Sequence, residues 1–118
     1  MFFNKETGNI GENLAVDYLK KQKYKILQTN YRNKIGEIDI IAEEEKTIVF
    51  VEIKTRSSLK FGFPKESIDF KKQQKIKNTA ISYLKYKNLY EKVAVRFDCI
   101  EILGDKLDCE INHIKNIF

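Results

Sequence analysis

The spacing of hydrophobic and polar residues predicts two helices and four strands. Apolar residues recur at helical intervals over residues 10–22 and 67–86. Runs rich in β-branched residues, separated by polar or glycine-containing turns, predict strands at residues 24–29, 37–42, 47–55 and 93–103. The order α-β-β-β-α-β predicts a mixed α/β fold with a central sheet flanked by helices. Residues 110–118 are compatible with either an edge strand or a short helix.

The length and composition fit one domain over residues 1–118. Of the 118 residues, 42% are hydrophobic, which is enough for a core. The longest apolar run, residues 48–51, is too short for a membrane helix, and the N-terminus does not resemble a signal peptide, so we expect a cytoplasmic protein without a membrane partner. Two cysteines and one histidine do not make a disulfide framework or a four-ligand zinc site.

Charge is segregated along the chain. The formal net charge of +5 mildly favours a polyanionic partner. Acidic residues dominate residues 37–52, whereas lysine and arginine dominate residues 54–92. Solubility alone would not require an acidic segment beside a basic one.

The residues around Asp39 and Glu52 carry the strongest signal for chemistry. If the second and third strands pair through an even loop centred on residues 45–46, Asp39 lies opposite Glu52 and both point to one face. Alternation places Glu37 and Lys54 on that face as well. The other face is then apolar, with Ile38, Ile40, Val49, Val51 and Ile53.

Carboxylates this close repel one another, by roughly 3 kcal/mol for a pair at about 5 Å and an effective dielectric of about 20. Protonation, a basic neighbour or a bound cation must relieve this repulsion. An oxygen-rich cluster with open positions suits Mg²⁺ or Mn²⁺, which can lower the pKa of bound water. Lys54 would orient or activate that water. The alternative is a solvated strand face, on which acid-x-base patterns are common.

Four polar residues outside this hairpin also need an interpretation. Glu12 is a third acid if its helix packs beside the hairpin, or a capping-box glutamate with Asn9 as the cap. Asn30 precedes the hairpin and can be structural. Arg96 and Asp98 share one strand face, which favours a structural ion pair.

The helix over residues 67–86 is predicted to be amphipathic. Its buried face would contain Ile68, Ile76, Ala80, Tyr83 and Leu84. Lys71, Lys72, Lys75 and Lys77 open the helix, and they form either a solvated face or a stripe that contacts phosphates. Arg56, at the end of the preceding strand, is a further candidate for a phosphate contact.

Four motifs stand out in combination: Gly11-Glu12-x-x-Ala15, Gly36-Glu37-Ile38-Asp39-Ile40-Ile41, Val49-Phe50-Val51-Glu52-Ile53-Lys54-Thr55-Arg56 and Arg96-Phe97-Asp98. Together they resemble the YraN family of small bacterial proteins, which is similar to archaeal Holliday-junction resolvases. The resemblance covers about residues 9–103 and implies the restriction-endonuclease-like, PD-(D/E)XK fold. Where the wider superfamily often has proline before the aspartate, this chain has Gly36-Glu37, as is usual for YraN-like proteins.

The resemblance also implies residue roles. Asp39, Glu52 and Lys54 would form the D…ExK core, with Glu12 as the extra acid of resolvase-like members. The metal ligands would be the three acids and the backbone carbonyl of Ile53.

Two hypotheses follow. The first is a Mg²⁺- or Mn²⁺-dependent endonuclease that cuts DNA, including branched DNA, with Lys71 and Gln74 reaching towards the acids as helix residues do in similar nucleases. The second is a nucleic-acid-binding module on the same fold that does not cut. Resemblance to resolvases also implies a homodimer, because two cuts across a junction require two sites related by symmetry.

Overall fold

The computed structural model describes residues 2–56, 69–104 and 109–118. Within them the elements follow the order α-β-β-β-α-β-β. They are α1 (Phe2–Lys21), β1 (Lys25–Arg32), β2 (Glu37–Glu44), β3 (Thr47–Arg56), α2 (Phe70–Tyr86), β4 (Ala94–Gly104) and β5 (Cys109–Ile114). The predicted order is confirmed, and the tail supplies a fifth strand, β5.

The strands form one mixed sheet in the order β1-β2-β3-β4-β5. β1, β2 and β3 pair antiparallel, β3 and β4 pair parallel, and β5 pairs antiparallel with β4. A parallel pair requires a crossover connection, and the chain between β3 and β4 contains α2. The arrangement is consistent with the restriction-endonuclease-like fold, which is the predicted class.

The two helices cover opposite faces of this sheet. Because side chains alternate along β3, Val49 and Val51 pack in a cluster with α1, whereas Ile48 and Phe50 pack in a cluster with α2. All four side chains are nearly or completely buried. The strand patterns therefore place the core in two layers, one on each side of β3. No helix in the described part of the chain is long and apolar enough to cross a membrane.

One predicted core position differs from the structure. Ile38 was expected on the same face as Ile40, but it packs in the cluster beneath α2. The register between β2 and β3 extends to Ile40 opposite Val51. At the next residue, Asp39, the side chain accepts the N–H of Ile53. Regular alternation stops there, so Ile38 turns to the other face.

Helix α1 is longer than predicted, which changes the interpretation of Glu12. It begins at Phe2, so Asn9 lies inside the helix and the capping-box interpretation is wrong. Gly11 allows α1 to approach β3 closely, because a Cβ atom at this position would lie 2.7 Å from the Cγ2 of Thr55. The close approach brings Glu12 to the sheet.

Helix α2 starts later than predicted, and Ile68 lies outside the described residues. Asp69 is the N-cap, and its Oδ1 accepts the N–H of Lys72 at 2.8 Å. The other predicted core residues of this helix are buried, namely Ile76, Ala80, Tyr83 and Leu84. Lys71 and Lys75 are exposed. The helix is therefore amphipathic, as predicted.

Candidate active site

The β2–β3 hairpin brings Asp39 and Glu52 together. A two-residue turn joins the strands, and their register runs as far as Ile40 opposite Val51. Beyond the last pair, the side chains of Asp39 and Glu52 lie close enough to repel and to hydrogen-bond, so the two acids that the sequence pattern predicts to be neighbours do meet. The Oδ2 of Asp39 also accepts the N–H of Ile53 at 2.8 Å, which holds this carboxylate against β3.

The environment of Glu52 opposes ionisation of its carboxyl. The side chain is only 15% exposed. Burial has the largest effect on its pKa, repulsion from and hydrogen bonding with Asp39 raise it further, and the nearby Lys72 and Lys54 lower it. The balance raises the pKa of Glu52 to about 7. A nearby positive charge would therefore determine whether this group is ionised near neutral pH.

Two lysines complete the group of residues that we call the acid–lysine cluster: Asp39, Glu52, Lys54 and Lys72. The Nζ of Lys72 lies 3.4 Å from the Oε2 of Glu52. Burial lowers the pKa of Lys54, and hydrogen bonding with and repulsion from Lys72 lower it further. Burial also lowers the pKa of Lys72, but contacts with Lys54 and the two acids outweigh burial and raise it. Lys54 thus releases its proton more readily than an ordinary lysine, while Lys72 keeps its charge.

The residue of α2 that contacts Glu52 is Lys72, which differs from the two residues that we expected. Lys71 and Gln74 were expected to reach towards the acids, whereas the structure has Lys72 beside Glu52. The cap at Asp69 sets the phase of the helix and puts Lys72 in its first turn. Lys71, one position earlier, is exposed, and Gln74 is half-buried.

Asn30 connects Glu12 to the sheet beside Asp39. The Nδ2 of Asn30 donates to both carboxylate oxygens of Glu12, at 3.0 and 2.8 Å. Asn30 has a positive φ of 53°, which asparagine tolerates better than most residues. In the β1–β2 register it falls opposite Asp39. The structure therefore places Glu12 one residue away from the acid–lysine cluster, through Asn30.

The donor set of the cluster fits a hard divalent cation. In the part of the chain that the structure describes, no three His, Cys, Asp or Glu side chains come together as a metal site. Mg²⁺ does not require three, because it is commonly held by one or two carboxylates while waters and substrate phosphates fill the other positions. Asp39 and Glu52 are such a pair, and a cation between them would relieve the repulsion that raises the pKa of Glu52.

A second polar group, which we call the β4–β5 charge network, contains Arg96, Asp98, His113, Asn116 and Glu44. The predicted ion pair is present, since Arg96 donates twice to Asp98 at 2.9 Å. Asp98 also lies 2.8 Å from the Nε2 of His113 and accepts the N–H of Asn116 at 3.1 Å. Arg96 donates to Glu44 on β2 at 2.9 Å. The network ties the C-terminal tail to the sheet, so its role is structural.

We expect the metal-free protein to lose stability as the pH rises from about 4.5 to about 7, and Glu52→Gln to remove this loss. The pKa of Glu52 is raised from 4.5 to about 7 on folding. Over this range the folded protein keeps a proton that the unfolded chain releases. The stabilisation is complete below the lower value and disappears as the pH passes the upper one, a change of up to about 3 kcal/mol.

Urea denaturation at several pH values, with a chelator present, measures this effect. Glu45→Gln is the matched control, because Glu45 is an exposed acid in the β2–β3 turn. This control should keep the wild-type slope. An equal slope in Glu52→Gln would assign the pH dependence to another group.

The fold defines a class, that of mixed α/β domains, and its arrangement is consistent with the restriction-endonuclease-like fold. More specifically, the chain belongs to the family described as "Uncharacterised protein family UPF0102", whose model matches residues 11–102. This range contains Glu12 and the whole acid–lysine cluster.

Several UPF0102 proteins are similar to this chain over nearly their full length. One from Caldicellulosiruptor bescii is 54% identical over 116 residues, which cover 97% of this chain and 98% of the relative. One from Clostridioides difficile is 53% identical over 115 residues, 98% of each chain. One from Caldanaerobacter subterraneus is 50% identical over 119 residues, 98% of this chain and 97% of the relative.

Proposed function

We propose that this protein is a metal-dependent endonuclease that hydrolyses phosphodiester bonds in DNA, including branched DNA. The observation that carries the proposal is the acid–lysine cluster, in which two mutually repelling carboxylates lie beside two lysines. This arrangement matches the D…ExK pattern of the YraN-like and resolvase-like proteins that the sequence resembles. The proposed cofactor is Mg²⁺ or Mn²⁺.

Each acid has a role suited to its position. Asp39 and Glu52 would hold the cation, with the backbone carbonyl of Ile53 as a further ligand. When bound, such a cation makes water more acidic and stabilises negative charge on phosphoryl oxygens. Glu12, held by Asn30, would assist through an intervening water.

Lys54 is the proposed positioning group for the attacking water. Because the pKa of Lys54 is lower than that of an ordinary lysine, the group releases its proton more readily, so more of it is present as the neutral amine that can act as a base. In the protonated form the same group offsets the negative charge that develops on the phosphate. Both functions depend on the half-buried position of Lys54 beside Glu52.

The first turns of α2 are the proposed phosphate-binding surface. Lys71 and Lys75 are exposed there, and Lys72 and Gln74 lie half-buried beside them. Arg56 was also predicted to contact phosphate, but its side chain lies outside the described residues. Each phosphate that a lysine neutralises adds about −0.9 to the slope of log K against log salt on duplex DNA. Salt-dependent DNA binding is therefore an expected property of this surface.

A gel cleavage assay with labelled four-way junction, flap and linear duplex DNA, in Mg²⁺ or Mn²⁺, tests the proposal. Metal-dependent product supports it, and the preferred DNA identifies the substrate. No product from any of these DNAs with either metal would contradict it. Salt-sensitive binding without cutting would instead favour the non-catalytic nucleic-acid-binding module.

The proposed enzyme would act on junctions as a homodimer, because paired cuts need two sites related by symmetry. Sedimentation with and without four-way junction DNA measures the oligomeric state. Only monomer in both conditions would count against the dimer.

A further inference from the structure

The ammonium of Lys72 occupies the position beside the two acids where a cation is needed. Its Nζ lies 3.4 Å from the Oε2 of Glu52. The N-cap bond from the N–H of Lys72 to Asp69, at 2.8 Å, fixes the backbone from which this side chain extends. Lys72 thus supplies in the protein itself part of the positive charge that the repelling carboxylates of Asp39 and Glu52 require.

We propose that Lys72 is an internal counter-ion that competes with the divalent metal for Glu52 and leaves this carboxylate when the metal binds. The inference rests on the proposed function, because it concerns the metal of that site. It gives Lys72 a role different from that of Lys54, namely to set how tightly the metal is held.

Electrostatics favours this exchange. Two unit charges of like sign at about 4 Å repel by about 4 kcal/mol at an effective dielectric of about 20, and a divalent cation doubles that figure. An ammonium in contact with Glu52 and a metal on the same carboxylate therefore disfavour each other. The side chain of Lys72 is 43% exposed, so it has open solvent into which to move.

Lys71 provides a matched control for the charge itself. It is the preceding residue of the same helical turn, and it is exposed. The pairing with Glu52 belongs to Lys72. Removing either lysine removes one positive charge near the site, but only removal of Lys72 eliminates the competing ion pair. Lys72→Met serves as a second variant, because methionine keeps an apolar stem that covers the surface beneath it.

The test is calorimetric titration of Mn²⁺ into the full chain at one pH and salt concentration, without DNA. We expect Lys72→Ala and Lys72→Met to bind Mn²⁺ about two- to fivefold more tightly than wild type, as loss of a partly exposed ion pair implies. Lys71→Ala should change the affinity clearly less, because exposed charges are screened.

Three results would overturn the inference. Equal tightening in the Lys71 and Lys72 variants would mean that only the net charge matters. Weaker or unchanged Mn²⁺ binding in both Lys72 variants would mean that Lys72 orients Glu52 or is not involved. In these two cases the metal site itself stands. Absence of Mn²⁺ binding in wild type and all variants would overturn the proposed metal site together with the inference.

Discussion

Asp39→Asn is expected to lower the rate of DNA cleavage by at least about 100-fold while the fold stays intact. Asparagine keeps an oxygen that can accept the N–H of Ile53, so the side chain remains anchored to β3. It lacks the negative charge that holds a divalent cation. A bound metal contributes several kcal/mol to stabilising the transition state, and about 1.4 kcal/mol corresponds to a tenfold change in rate. Single-turnover cleavage of the preferred DNA measures the loss.

Glu43→Gln is the matched control for this prediction. Glu43 lies on the same strand as Asp39 but near the turn, opposite Ile48, and it is outside the acid–lysine cluster. Its replacement should leave the cleavage rate within about a factor of two. Cleavage by Asp39→Asn at the wild-type rate, from a protein with a normal unfolding curve, would remove Asp39 from the metal site and the cluster from the mechanism.

The opposition of Asp39 and Glu52 could be predicted from the sequence because strand side chains repeat every two residues. A slip of one residue would put the acids among the aliphatic side chains of the other face, so the pattern allows one register only. The same reasoning failed for Ile38, two residues from Ile40. Alternation holds only while the ladder is regular, and that regularity ends where the N–H of Ile53 donates to the carboxylate of Asp39.

The roles of Lys72 and Asn30 could not be read from the sequence. Helical periodicity identifies the buried face of α2, but the contact of Lys72 with Glu52 depends on the exact position of the cap, which is Asp69. The bond between Asn30 and Glu12 joins residues that are far apart in the chain and depends on a backbone with positive φ. The local sequence pattern predicts neither the exact cap position of α2 nor the positive φ of Asn30.

The ends of the fold were also beyond the sequence pattern. Asn9 is a residue type that favours N-caps, so a helix start at residue 10 was a reasonable prediction, yet the helix continues back to Phe2. The tail was ambiguous because its strand, β5, has only six residues. His113 bonds to Asp98 only because β5 lies beside β4. The ion pair of Asp98 with Arg96, two residues away on one strand, was predictable.

Asp98→Ala is expected to destabilise the protein by about 3–5 kcal/mol, the largest effect on stability among these variants. The side chain of Asp98 is completely buried. Its removal leaves the guanidinium of Arg96 without its main partner and takes hydrogen bonds from His113 and Asn116. Unfolding in urea, followed by circular dichroism, measures the change. A loss of this size is a large fraction of the stability of an ordinary domain.

Two tests identify the cause of the stability loss in Asp98→Ala. One is a comparison with Glu44→Gln, and the other is the pH dependence of the loss. Glu44 is also paired with Arg96, but its side chain is 31% exposed, so its replacement should cost less than about 1 kcal/mol. Burial raises the pKa of Asp98, but hydrogen bonds from His113, Arg96 and Asn116 outweigh burial and lower it below the ordinary value. The stabilisation from its charge is therefore present above about pH 4 and is lost as the pH falls further, so the difference between wild type and Asp98→Ala should shrink in acid. A difference no larger than that of Glu44→Gln, or one that does not change with pH, would mean that buried charge at Asp98 does not hold the tail to the sheet.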